Sequence, residues 1–406
     1  MAKDRIQLPG GVTVTHLEFH SRHGYLLPGC PAYSCEVHGP LDHAPDTFAN
    51  DIGVVSDILD RHDADVKENQ SFRYPVFYPA GQGKAHRAIL LFHGFNEKYW
   101  SKYLPWAHFL TAETGSTVVL FPISFHMNRA PQEWSDRRLM HRVSALRKEQ
   151  FPKVIATTLS NVAISTRLQS RPQRFIWSGL QSYNDVLQLL AQVDGDLHPL
   201  IAPGAVADVL AYSIGCLLGQ ILVMTDAGGR FADSRLAMFC GGPVFNRVSP
   251  VSKFILDSEA NVSLYSYLVE HLESHLRTDA RLAHYLGGAH PEGVMFRSMM
   301  NYRLLRAERE GRFRSMAGRM LAVALEQDMV MPPYEVMNAL LGSKRDIPAR
   351  VEVLDFPYPY RHEDPFPAMA SLEGPVSREF QRVMGTFAGF LARPDLDACA
   401  PAPAGV

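Results

Sequence analysis

The sequence predicts a doubly wound, mostly parallel α/β sheet, and three observations carry that reading. Short apolar runs rich in β-branched residues alternate with amphipathic stretches from about residue 73 onward, as in a parallel sheet covered by helices. The stretches between the runs repeat apolar residues at the helical period, most clearly at 100–113, 178–192, 214–225 and 376–391. Two intervals, 123–206 and 243–318, exceed ordinary connection lengths and carry helical patterns of their own.

Seven strands are expected in order: "RYPVFYP" (73–79), "RAILLFH" (87–93), "STVVLFP" (116–122), "ADVLAYS" (207–213), "RLAMFC" (235–240), "MLAVAL" (320–325) and "ARVEVLDF" (349–356). The first two flank "AGQGKAH", a Gly-bearing turn that suits an antiparallel hairpin at the start of the sheet. In the last helix Val376, Phe380, Met384, Phe387 and Leu391 share one face. Residues 1–72 hold Pro, Gly and six histidines with little periodicity and are expected as an N-terminal extension. The core then splits into 73–242, which contains the helical insertion 123–206, and 319–393, with 243–318 as a helical segment between them. The tail 394–406, "PDLDACAPAPAGV", is expected to be disordered.

Charged residues make up 20% of the 406 and the formal net charge is −2, which gives no broad attraction to nucleic acid or an anionic membrane. A small-molecule partner fits that balance; the oligomeric state has no signature. The amino terminus lacks the apolar run of a signal peptide, and no apolar segment approaches the roughly 18 residues of a membrane span, so a cytoplasmic protein is expected. The cysteines, Cys30, Cys35, Cys216, Cys240 and Cys399, are an odd and sparse set that suits reduced thiols. Cys30 and Cys35 in "CPAYSC" are spaced so that they could pair, but no second CxxC-type element supports a zinc site, and no cofactor or metal is expected.

The chemistry concentrates after four of the strands. In "AYSIG", Ser213 sits between small residues, Ala211 at −2 and Gly215 at +2, which a serine on a sharp strand-to-helix turn requires. Serine at that place also caps helices, so this segment alone leaves both roles open. Upstream, "RAILLFHGFNEKYW" ends a strand in His93 and Gly94, where the Phe95 N–H could join that of Ile214 to bind an oxyanion. His93 is expected to shape the loop rather than transfer protons. Downstream, Asp328 in "LEQDMVMPP" lies just past a buried strand, where an acid can orient a histidine. Glu326 competes for that role, and a loop place or capping of the following helix is the plainer use of Asp328. His362, in "DFPYPYRHEDPFP", is the last histidine of the chain and lies in a Pro-rich loop from which a general base can reach a serine.

The order Ser213, Asp328, His362, each after a strand and behind an earlier oxyanion turn, resembles the α/β-hydrolase superfamily over roughly residues 73–393. The blocks "FPISFHMNRAP", "WSGLQSYND" and "AYSIG" resemble an uncharacterised bacterial branch of it. The resemblance implies the α/β-hydrolase fold, Ser213 as nucleophile, Asp328 as acid, His362 as base, and "HGFN" as oxyanion turn. It also implies that 243–318 is a cap, inserted before the strand that carries the acid. The chain departs from the family in Ala211, where glycine is commoner, and in lacking a glycine shortly before the acid, which keeps Glu326 in contention. Asn96, Tyr212, His126, Asn128 and Arg129 are expected pocket residues, and the seven arginines of 297–319 could favour an anionic group.

The expected function is cleavage of an acyl, ester-type bond through an acyl-enzyme. An acyltransferase on the same triad and a non-catalytic protein on the same fold are the alternatives. A metal enzyme is the remaining rival, from His16, His20 and His23 in "HLEFHSRH" and from His271 and His275 in "HLESH", although Leu272 stands where the zinc-protease helix needs Glu.

Overall fold

The computed structural model describes residues 5–30, 34–35, 37–40, 48–53, 55, 58–59 and 61–392. The expected tail 394–406, with Cys399, lies outside the described residues. The strands are β1 (Ile6–Leu8), β2 (Val12–His20), β3 (Ser34–Cys35), β4 (Gly39–Pro40), β5 (Ser71–Pro79), β6 (Ala85–Phe92), β7 (Thr117–Leu120), β8 (Ile201–Tyr212), β9 (Leu236–Phe239), β10 (Met320–Leu325) and β11 (Arg350–Leu354). Nine of them form one sheet in the order β1-β2-β5-β7-β6-β8-β9-β10-β11, while β3 and β4 pair apart from it. From β7 to β11 the pairing is parallel throughout; β1, β2 and β5 add an antiparallel edge. This is the doubly wound, mostly parallel α/β architecture.

The central strands are apolar on both faces, as strands covered by helices on both sides must be. Leu90, Val209, Met238 and Ala322 point into one core, under helices Arg174–Asp194 and Gly215–Thr225. Ile89, Leu210, Phe239 and Val323 point into the other, under helices Leu104–Thr114 and Glu373–Leu391, where Met384, Phe387 and Leu391 are buried as their spacing predicts.

Two expectations change. β5 and β6 are not a hairpin: β7 lies between them, antiparallel to β5 at Val76↔Val119 and parallel to β6 at Leu90↔Val119. β6 is buried on both faces and needs a partner along each edge. The helix between β6 and β7 provides the long crossover that brings a parallel one in. The stretch set aside as an N-terminal extension also supplies β2, paired with β5 over nine residues from Val12↔Pro79 to His20↔Ser71.

The two long intervals are helical, with helices Arg137–Gln150 and Val162–Ser170 in the first and five helices between Ser258 and Met316 in the second. They are tied together by Asp257. Its carboxylate caps the helix that begins at Ser258 and accepts from Ala260 N at 3.0 Å. It also receives Arg147 Nε at 2.6 Å, Arg147 Nη2 at 2.8 Å and Thr157 Oγ1 at 2.8 Å. Both side chains of the ion pair are fully buried. Asp257→Ala strands the Arg147 charge in the interior and is expected to cost about 3–5 kcal/mol, read as a lower urea midpoint with an unchanged slope.

Candidate active site

β8 runs out at Tyr212, and the next residue turns hard into the helix at Gly215. Ser213 sits at φ +56°, in the left-handed region, a strain on the order of 1–3 kcal/mol that non-glycine residues seldom carry without a use. Tight neighbours hold it there. A Cβ on Gly215 would stand 2.7 Å from the His93 carbonyl, and one on Gly94 3.1 Å from the Tyr212 ring and 3.4 Å from Ser213 Cβ. Glycine at 94 and 215 is what lets the turn after β6 approach the turn after β8.

The structure brings Ser213, His362 and Asp328 together from three loops. Ser213 Oγ donates to His362 Nε2 at 2.7 Å, and His362 Nδ1 donates to Asp328 Oδ2 at 2.7 Å. The acid's other oxygen accepts from Val330 N at 2.9 Å and Met331 N at 2.8 Å. With both oxygens engaged, the carboxylate is fixed and holds the imidazole with Nε2 free to accept. The three residues are 4%, 4% and 2% exposed, so water does little to screen charge along the chain of bonds. Glu326 is exposed and outside this arrangement; its backbone N–H bonds the Leu354 carbonyl. The His362 loop is itself pinned. The Tyr212 hydroxyl donates to the His362 carbonyl, and its ring stacks on the imidazole at 5.6 Å and 18°.

On the β6 side, the Gly94 N–H is taken by Tyr103 Oη at 2.9 Å. Among the described residues the N–H groups of Phe95 and Ile214 have no hydrogen-bond partner. His93 donates from Nδ1 to the Gly94 carbonyl at 2.8 Å and accepts the Ile123 N–H on Nε2 at 2.9 Å. Burial, then the neighbouring His126, holds it neutral by lowering its pKa well below the ordinary value. It is a brace between two loops. Asn96, at φ +58°, donates to the carbonyls of Ser160 at 2.9 Å and Phe254 at 2.6 Å, joining this turn to both helical insertions.

A cleft opens over Ser213 and His362, walled by Phe95, Asn96, Phe254 and Ile255. A second, mainly apolar pocket shares Phe95 with the cleft and is lined by Ile214, His126, Phe175, Leu217 and Phe296. Tyr212 and Asn96 thus fall at the cleft, and His126 in the apolar pocket. Two expected pocket residues do not. Asn128 is exposed and donates to the Arg73 carbonyl at 2.6 Å. Arg129 is fully buried, paired with Asp185 at 2.7 Å and bonded to Asn69, because its short helical turn points inward against Phe72. The arginines of 297–319 also serve structure. Arg297 pairs with Glu273, Arg314 with Asp346, and Arg309 donates to backbone carbonyls, and none of the seven lines the Ser213 cleft.

Sequence reasoning missed two neighbours. Lys102 ion-pairs with Glu97, donates to the Glu363 carbonyl at 2.9 Å and lies 4.7 Å over the Tyr212 ring, which braces the His362 loop from the cleft side. Cys240 is buried after β9, and burial, with Asp328 next, keeps its thiol protonated by raising its pKa far above the ordinary value. A lysine at the end of a short 3-10 turn and a cysteine at a strand end carry no local signal for either role. The histidines of the metal rival are dispersed. His20 bonds Ser71 Oγ, His23 packs on Tyr25, and His275 stacks on Tyr267 at 4.2 Å. Cys30 and Cys35 are not joined by a disulfide.

Buried neutral histidines make stability depend on acidity. Burial lowers the His126 pKa from 6.5 to about 4 and that of His198 likewise to about 4. The unfolded chain therefore binds protons that the folded chain refuses. Stability is full above 6.5 and is lost as pH falls from about 6.5 toward 4. The His126 change alone corresponds to about 3 kcal/mol. The urea midpoint is expected to fall steeply across that window, and less steeply in His126→Asn.

The chain is similar in structure to carboxyl esterase 2 from the mycorrhizal fungus Tuber melanosporum, at 11% identity over 79% of this chain and 82% of that one, with a TM-score of 0.42. It is similar to the esterase Est22 at 12% identity over 94% and 82%, with a TM-score of 0.44. It is also similar to the hyperthermophilic esterase from the archaeon Pyrobaculum calidifontis, at 12% identity over 78% and 80%, with a TM-score of 0.40. No curated protein matches it in sequence. A family model matches residues 3–392, nearly the whole chain, and by that match the protein belongs to the family of unknown function DUF6051.

Proposed function

We propose that the protein is a serine hydrolase that cleaves a carboxylic ester through an acyl-enzyme. The observation that carries this reading is the unbroken chain of bonds from Ser213 Oγ through His362 to Asp328, with the serine held at φ +56° beneath an open cleft.

In the first half-reaction His362 Nε2 takes the Ser213 proton as Oγ attacks the acyl carbon. The N–H groups of Phe95 and Ile214 receive the oxyanion, a contribution on the order of 3 kcal/mol for each donor. His362 returns the proton to the leaving alcohol, and Asp328 stabilises the imidazolium while it exists. Water then enters, activated by the same imidazole, and releases the acid. The apolar pocket that shares Phe95 and Ile214 with the oxyanion turn suits the acyl chain. The wide cleft admits water, which favours hydrolysis over transfer to a second substrate. The segment 243–318, in which Phe254 and Ile255 wall the cleft ahead of the helices, acts as the cap.

The test is a fluorophosphonate probe together with a series of p-nitrophenyl esters of increasing acyl length. Labelling and turnover by the wild type, both lost in Ser213→Ala, support the reading. Absence of both in folded wild type overturns it.

A further inference from the structure

We propose a second, metal-binding site, in which Cys35, His38, His284 and His290 hold one zinc ion away from the Ser213 cleft. The four ligand atoms all lie within 4.8 Å of one another. Cys35 Sγ is 3.3 Å from His38 Nδ1 and 3.4 Å from His290 Nε2, and His290 Nε2 is 3.1 Å from His284 Nε2. Around a tetrahedral zinc, ligands at ordinary bond lengths stand about 3.3 Å apart for two nitrogens and about 3.6 Å for sulfur and nitrogen. The measured separations are close to those.

The chemistry of the set agrees. One thiolate and three imidazoles are borderline-soft donors that suit zinc, and four protein ligands close the tetrahedron, as in structural sites. The spacing, two residues between Cys35 and His38 and five between His284 and His290, is that of two local ligand pairs brought together by folding. The first pair sits on the β3–β4 hairpin, and the second on either side of the turn between helices Ala280–Leu286 and Pro291–Met300.

The surroundings orient the ring that meets most of the others. His290 Nδ1 lies 3.1 Å from Glu292 Oε1, so the carboxylate accepts a hydrogen bond from Nδ1–H, which keeps the proton there and leaves the Nε2 lone pair facing the cluster. That is the outer-shell arrangement of metal-bound histidines. Cys35 and His290 are buried, and His38 is exposed, which leaves an entry path. None of the four lines the Ser213 cleft.

When zinc binds, Cys35 loses its thiol proton to solvent and the sulfur coordinates as thiolate, with no change of oxidation state. The ion then fastens the hairpin near the amino terminus to the helices of 243–318 that carry Glu292 and Phe296 at the apolar pocket. The site does not depend on the proposed hydrolase activity and is tested without it.

The protein, purified without a polyhistidine tag, is dialysed with excess Zn²⁺, freed of unbound metal and analysed for zinc. One zinc retained per chain supports the site, provided it is lost in Cys35→Ser and His290→Ala. Replacing the zinc by Co²⁺ is expected to give tetrahedral d–d bands and a thiolate-to-cobalt charge-transfer band, the latter absent in Cys35→Ser. Glu292→Gln keeps all four ligands, so it separates affinity from folding, and is expected to weaken retention about 10–100-fold. Folded wild type that retains no zinc and gives no thiolate band overturns the proposal, as does equal retention by Cys35→Ser; the four groups are then a hydrogen-bonded cluster only.

Discussion

Ser213→Ala is expected to lower kcat for ester cleavage about a million-fold, because the nucleophile and base act as a unit and losing either forfeits nearly all of their joint effect. Residual turnover comes from the oxyanion donors and binding, so KM should change little. Ser213→Gly makes the same loss but moves stability the other way. Glycine adopts φ +56° without a Cβ penalty, so this variant is expected to be about 1–2 kcal/mol more stable than Ser213→Ala, which keeps the strain. Stopped kinetics with a raised urea midpoint in the glycine variant would identify position 213 as a place where stability was exchanged for reactivity. Retained turnover in Ser213→Ala would exclude the serine mechanism.

Asp328→Asn is expected to cost about 10⁴-fold in kcat at nearly constant KM. The amide keeps the shape and one acceptor, but its nitrogen can donate to His362 Nδ1 and so favours the tautomer in which Nε2 carries the proton and cannot accept from Ser213. Glu326→Gln, at an exposed side chain, should leave kcat within about twofold of wild type, as for surface substitutions generally. The opposite pattern, a dead Glu326→Gln and an active Asp328→Asn, would transfer the acid role.

The acid shows where reading the chain reaches its limit. Asp328 and Glu326 both follow β10 within three residues, and nothing in "LEQDMV" separates them. The separation comes from the loop's path. The chain turns so that Val330 and Met331 present their N–H groups to one carboxylate, and the other acid is left in solvent. The serine was more legible, because steric demands at an elbow act on neighbours in sequence, Ala211 and Gly215. His93, expected to shape the loop, bonds the Gly94 carbonyl and the Ile123 N–H through its two ring nitrogens.

Strand order was less legible than strand existence. Burial on both faces writes itself into β6 as a continuous apolar run, but which strand fills its edge depends on a crossover that local pattern does not encode. β2 carries an alternation in which Val12 and Val14 enter one core and Phe19 the other, and the flanking Gly and His residues obscured it. The position of Arg129 after a strand points to the pocket, but a single turn of helix sends it into the interior toward Asp185. The zinc cluster lay beyond sequence altogether. Local spacing gives no reason to join Cys35 to His284 and His290, because 255 positions separate Cys35 from His290.

By itself the sequence determined the layered sheet, the strand-to-loop positions of Ser213, Asp328 and His362, and the glycines that the elbow needs. These follow from apolar periodicity and backbone sterics, which act over a few residues. The tertiary structure alone decided which acid reaches the histidine, which polar residues face the cleft, and which distant cysteine and histidines meet. Those outcomes depend on distances between segments far apart in the chain, which are set by packing.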